Sequence, residues 1–327
     1  MDRKNDYKRV KLILISGRKN SNKYFLCKLL KHINAVKLNL PIRIIRLFKT
    51  YRFTKKLFVS IESIHKKNIT KNYGRDFFRI TEDVCGHEFL KSVFSDASKP
   101  LICVYIRDKS FLQEIDPKRN WDYHNYRDSE ASEYINLVKL LIELGFNVIR
   151  MGRISNQNIN IENPNFYDYP FSKLKSDFLD IWIPHQAVAI ISTGTGIDTL
   201  ALLFCKPLLF INFLPIFSGF FNHKFLVAPK LIFHKGLKPN LNENLLNVRD
   251  KTDDYLKDNL IIKNLSIRLH KPLLQEFLNY INHNFPKRSN KQANALEKIK
   301  LVRKELLNTT VVNSSANLSQ VWLNQFD

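Results

Sequence analysis

The sequence predicts an α/β protein built on a doubly wound parallel sheet, and three observations carry that expectation. Residues 101–151 read strand, helix, glycine, strand, the local grammar of a parallel βαβ unit. The loop Ser192-Thr193-Gly194-Thr195-Gly196 joins an apolar run to a helical one, where a tight βα turn belongs. Lys206-Pro207 then stops that helix ahead of another buried strand, residues 208–212. At 327 residues the chain exceeds the usual single domain, so two domains are expected.

Residues 10–15 form an apolar strand. The Gly-Arg-Lys-Asn-Ser-Asn loop leads from it to a helix over 23–33, with Tyr24, Leu26, Leu29, Leu30 and Ile33 available to pack. Beyond Pro41, Arg43, Arg46, Lys49 and Arg52 recur at every third position on one drifting helix face. That face is either a solvated surface or one that meets anionic lipid headgroups, at roughly 1 kcal/mol per basic residue. Residues 1–80 hold 22 Lys and Arg against 4 Asp and Glu, whereas the remaining 247 hold 30 against 26. The basicity therefore belongs to the N-terminal region. The polar stretch ending in Pro100 marks a boundary, giving a basic N-terminal domain over 1–98, a Rossmann-like domain over 99–256 and a tail over 257–327.

The second domain opens with a buried strand over 101–106, followed by a long loop, 107–128, dense in charge and aromatics. A helix over 130–144 stops at Gly145, and a strand over 146–151 comes after it. Residues 166–170 read as a short strand ending at proline, 176–186 as a helical turn region, 188–192 as a buried strand and 197–204 as a helix. The tail is expected to be helical and extended, with Leu273, Phe277, Leu278 and Ile281 at helical spacing and a charged helix over 291–307.

No run of 18 uncharged apolar residues occurs, and the apolar start is too short for a signal-peptide core, so a cytoplasmic protein is expected. Cys27, Cys85, Cys103 and Cys205 are far apart and form no CxxC pair, which predicts reduced, mostly buried thiols. No metal-ligand spacing appears, nor a Walker pattern or GxGxxG after the first strand.

In open α/β sheets ligands bind beyond the carboxyl ends of the strands, which directs attention to the loops leaving residues 106, 150, 169 and 192. In the last of these, Ser192, Thr193, Gly194, Thr195 and Gly196 bring hydroxyls and close-approach glycines to a helix start, a pattern suited to phosphate. The plainer alternative is a tight turn with a hydroxyl N-cap. Arg107 and Arg150 follow or end neighbouring strands, and Arg127 lies in the aromatic loop; guanidinium forks match diphosphate oxygens. For acid–base chemistry Asp108 is preferred narrowly over His124.

The ordered segments Val104 to Asp108, Tyr123 to Asp128, Gly145 to Gly152, Tyr167 to Tyr169, Asp177 to Trp182, Ser192 to Gly196 and Lys206 to Asn212 resemble a family of bacterial glycosyltransferases known mainly from sequence. The later part is also similar to the sugar-nucleotide half of heptosyltransferase-type enzymes. The resemblance covers residues 100–215 and implies a GT-B arrangement: two Rossmann-like domains, the N-terminal one short, with no metal and no other cofactor. It implies a nucleotide-sugar donor on the second domain and an acceptor facing the first; the basic N-terminal region suits a surface-polysaccharide or lipid-linked glycan acceptor, with peripheral contact to an anionic membrane surface. By resemblance the Thr-Gly loop meets the donor diphosphate while Arg107 and Arg150 line the cleft. Two rival readings stay open: a non-catalytic nucleotide- or carbohydrate-binding protein, and a basic nucleic-acid-binding protein, the latter leaving the Thr-Gly loop unexplained.

Overall fold

The computed structural model describes residues 12–15, 22–32, 35–38, 77–214, 224–234, 260–284, 292, 294 and 317–326. Arg43, Arg46, Lys49 and Arg52 lie outside the described residues, as does all of the expected 291–307 helix except 292 and 294.

The chain opens with β1 (Leu12–Ile15), α1 (Lys23–His32) and β2 (Ala35–Leu38); the two strands pair in parallel, Leu12 opposite Ala35. Helix α1 begins where Asn22 Oδ1 accepts the Phe25 amide at 2.7 Å, an N-cap that satisfies one of the helix's orphan donors. Strand β2, which closes this βαβ unit, was not among the sequence expectations.

Helix α2 (Ile80–Val93) starts with Glu82 accepting the Arg79 amide at 2.7 Å. Gly86, in its middle, is buried against Trp182: a Cβ there would stand 2.2 Å from the indole ring. Trp182 Nε1 also donates to Asp83 at 2.8 Å. Phe89, Leu90 and Phe94 share one apolar core with the large sheet, so the boundary expected at 98 is no boundary of packing.

The remaining elements are β3 (Leu101–Tyr105), α3 (Ser110–Ile115), α4 (Ile135–Glu143), β4 (Asn147–Met151), β5 (Phe166–Asp168), α5 (Leu179–Gln186), β6 (Ala189–Ser192), α6 (Thr199–Leu203), β7 (Leu208–Phe213), β8 (Phe225–Pro229), β9 (Leu231–His234), β10 (Leu260–Lys263), α7 (His270–Asn282), β11 (Asn317–Leu318) and α8 (Gln320–Leu323). Seven strands make one parallel sheet in the order β11-β8-β7-β6-β3-β4-β5. The chain thus winds outward from β3 through β4 to β5, crosses back by α5, and winds the other way through β6, β7 and β8. That order is the Rossmann one, and its direction reverses between β3 and β6. Every position of β3, β4, β6, β7 and β8 is buried, which is why these segments read as apolar runs rather than alternations.

The described C-terminal residues do not all belong to a helical tail. Helix α7 buries Leu273, Leu274, Phe277 and Tyr280, and β11 supplies the seventh strand, while β9 and β10 make a separate antiparallel pair. Two and four residues are too short to show a period in sequence, so both β11 and β10 depend on partners for their shape. The cysteine expectation also needs correction: Cys103 is buried, Cys205 is half-buried, and Cys27 and Cys85 are exposed on α1 and α2. Among the described residues no helix is long and apolar enough to cross a membrane.

Candidate functional site at the strand switch

The crevice between the carboxyl ends of β3 and β6 is built first by Thr193. Its amide donates to the Tyr105 carbonyl at 3.0 Å and its Oγ1 accepts the Arg107 amide at 2.8 Å, so the two departing loops are stitched beyond the last ladder pair, Tyr105 opposite Ser192. Gly194 has φ +98, and a Cβ there would stand 2.6 Å from the Phe213 ring; only glycine combines that dihedral with that approach.

The loop's amides are committed differently from the sequence expectation. Gly194 N–H donates to Ser192 Oγ at 3.1 Å, and Thr195 N–H and Oγ1 donate to the Asp198 carboxylate at 2.5 and 3.1 Å. This is a capping box, and the plainer reading of a tight, capped turn therefore holds for Gly194 and Thr195. The chain continues into a 3₁₀ turn, Gly196–Asp198, and then into α6 of only five residues, too short to lend much dipole to an anion. Gly196 itself is exposed with nothing within 4 Å of a Cβ, so the open space begins there. Burial pushes the Asp198 carboxyl up to about 6, although hydrogen bonds from Ser192 and Thr195 pull the other way.

Around this turn the structure gathers cations. Arg107 lies two residues past β3, and its Nε donates to Asp128 at 3.1 Å. Arg127, from the other end of the same loop, has a buried Nε with no partner among the described residues. Burial lowers its pKa, the neighbouring Arg107 charge lowers it further, and Asp128 and Asp198 oppose that shift. Lys230, which sequence reasoning missed, comes just after β8, is 5% exposed and donates to the Asp128 carbonyl at 2.5 Å. Burial brings its ammonium down to about 8. Its signal in sequence is faint: it is the single charge in the apolar run 225–233. Three cations thus surround Asp128, whose own pKa burial raises.

Other expected site residues are used elsewhere. Arg150 is 2% exposed and lies opposite Asp168 in register, with Nε and Nη2 on the two carboxylate oxygens at 2.5 and 3.0 Å. It is a strand residue, not a strand-end residue, and its guanidinium is taken by a cross-strand fork rather than offered to a ligand. Asp108 accepts the Ser110 amide at 2.9 Å on one oxygen and Ser155 Oγ at 2.5 Å on the other, tying α3 to the loop after β4. His124 sits in the 3₁₀ turn Asp122–Arg127 with its ring 4.0 Å from Tyr123 and 6.2 Å from Trp121. The structure therefore keeps Arg107, Arg127, Ser192, Thr193, Gly194, Thr195 and Gly196 together at the switch, adds Lys230, and assigns Arg150 and Asp108 to bracing.

Compared with family models, with curated proteins and with solved structures, the chain finds no match.

Proposed function

We propose that the protein is a glycosyltransferase of GT-B type that holds the diphosphate of a nucleotide-sugar donor at the switch between β3 and β6. The observation that carries this reading is the convergence there of Arg107, Arg127 and Lys230 around Asp128, whose carboxylate takes Arg107 and whose carbonyl takes Lys230. Two like-charged guanidinium groups held close in a partly buried crevice lower their energy when an anion joins them. As the glycosidic bond to the donor breaks, the departing nucleoside diphosphate gains negative charge, and preorganised arginines stabilise that charge where it forms. The Gly196 and Ile197 amides, at the start of a turn with no preceding helical carbonyl to take them, suit the same oxygens.

The second half of the reading rests on the β1-α1-β2 unit. It is a parallel βαβ piece, and the start of α1 docks on the loop that leaves β5: Asn22 Nδ2 donates to the Asp177 carbonyl at 2.8 Å and the Lys23 amide to the Asp177 carboxylate at 3.1 Å. A Rossmann-like half facing the carboxyl edge of the large sheet would leave the acceptor between them. The basic N-terminal region suits a lipid-linked or surface-polysaccharide acceptor at an anionic membrane face.

The test is a thermal-shift panel of ADP, GDP, UDP, CDP and TDP. At least one raises the melting temperature, and Arg107→Ala with Arg127→Ala removes the shift. A double variant that keeps the whole shift ends this reading. One observation favours the non-catalytic alternative: both oxygens of Asp108 are occupied within the protein. Release of nucleoside diphosphate from the matching nucleotide sugar separates transferase from binder.

A further inference from the structure

Loop 107–128 is closed at its neck by three bonds. The Ser129 amide donates to the Arg107 carbonyl at 3.0 Å, Arg107 Nε to Asp128 at 3.1 Å, and Lys230 Nζ to the Asp128 carbonyl at 2.5 Å. The last comes from a residue 102 positions away, and the Arg107 amide is also held from outside the loop, by Thr193 Oγ1 at 2.8 Å. An ammonium that is 5% exposed and hydrogen-bonded to a carbonyl is costly to bury, and a methionine would fill the same space without that cost. The charged groups that face Lys230 are Asp128, Glu133 and Arg107, and Glu133 is itself engaged by Asn264. Packing alone does not account for the charge, whereas its hold on the loop does.

We infer that Lys230 is the positioning residue of the diphosphate site: by holding the Asp128 carbonyl it fixes the neck of loop 107–128 and with it the separation of Arg107 and Arg127. The inference rests on the proposed diphosphate site for its ligand, but the neck can be read without any ligand.

The experiment compares wild type, Lys230→Met and Lys230→Arg by amide hydrogen exchange and by calorimetric titration with inorganic pyrophosphate. In Lys230→Met, exchange at Ser129 rises and pyrophosphate affinity falls, each by about tenfold or more, while amides of α7 keep their wild-type rates. Lys230→Arg, which keeps both charge and donor, restores most of both. Wild-type exchange at Ser129 in Lys230→Met overturns the inference, as does a loss that Lys230→Arg leaves unrestored. Failure of the wild type to bind pyrophosphate sinks the diphosphate reading instead, and Ser129 exchange then still decides whether Lys230 holds the neck.

Discussion

Two adjacent strands, β3 and β4, each bring an arginine toward the same edge of the sheet, and the two have opposite fates. Arg150 is inside β4, where register sets Asp168 of β5 directly beside it, and the pair closes into a buried two-bond fork that Ile159 N–H completes at 2.9 Å on Asp168. Arg107 stands beyond the end of β3, makes one bond to Asp128, and shares its surroundings with Arg127 and Lys230. The difference teaches that an arginine near a strand end escapes a cross-strand fork only when the neighbouring strand presents no carboxylate in register. Charge balance around the group, not its position in the chain, decides.

The comparison breaks most visibly at Asp168. Asp168→Ala leaves Arg150 buried and unpaired and costs about 3–5 kcal/mol in urea unfolding, whereas Arg150→Met with Asp168→Leu recovers most of the loss. Equal midpoints for wild type and Asp168→Ala would mean the fork is not what seals this side.

The pH response sharpens the switch side. Folded Asp198 keeps its proton to about 6, above the ordinary aspartate range, because it is buried; raising the pH from about 4 to 6 strips that proton and lowers stability. His270, 1% exposed and stacked on Tyr134, has both ring nitrogens without partners among the described residues, and burial brings it down to about 4. Over the same window only the unfolded chain loses its histidine proton, so that contribution rises with pH. The two slopes oppose, each worth at most about 3 kcal/mol. Relative to wild type, His270→Phe tilts stability downward with rising pH and Asp198→Asn tilts it upward, measured by denaturant midpoints at about pH 4 and 6.5. Parallel profiles for all three proteins would contradict the burial argument.

Smaller effects divide the Thr-Gly loop itself. Gly194→Ala, strained by its dihedral and pressed on Phe213, costs about 2 kcal/mol, while Gly196→Ala, in open space, stays within about 0.5 kcal/mol. Similar losses at both positions in thermal unfolding would erase the distinction between a buried and an open glycine. Asp128→Asn costs little stability, about 1 kcal/mol, because the Lys230 bond goes to the backbone carbonyl and survives. Removing the competing carboxylate is expected to strengthen pyrophosphate binding severalfold; weaker binding would make Asp128 part of the recognition rather than its rival.

Much of the sheet is legible in the sequence. The buried runs at 101–105, 147–151, 189–192 and 208–213 are apolar at nearly every position, and Gly145 and Lys206-Pro207 punctuate the helices between them. The site is legible only in outline. Ser192 to Gly196 and Arg107 can be found because hydroxyls, glycines and a lone arginine interrupt apolar text. Lys230 is marked only faintly, as a lone charge in the apolar run 225–233, and Arg150 misleads because its partner lies in another strand.

By itself the sequence determined the α/β class, the winding of residues 101–213 and the turn that begins at Ser192, since these arise from local burial and backbone preference. Tertiary structure alone decided that residues 80–94 and 317–323 belong to the same core, that Arg150 is spent on Asp168, and that Lys230 reaches the loop neck. Those outcomes depend on strand order and register, which place charges from distant segments side by side, and no property of either segment taken separately encodes that meeting.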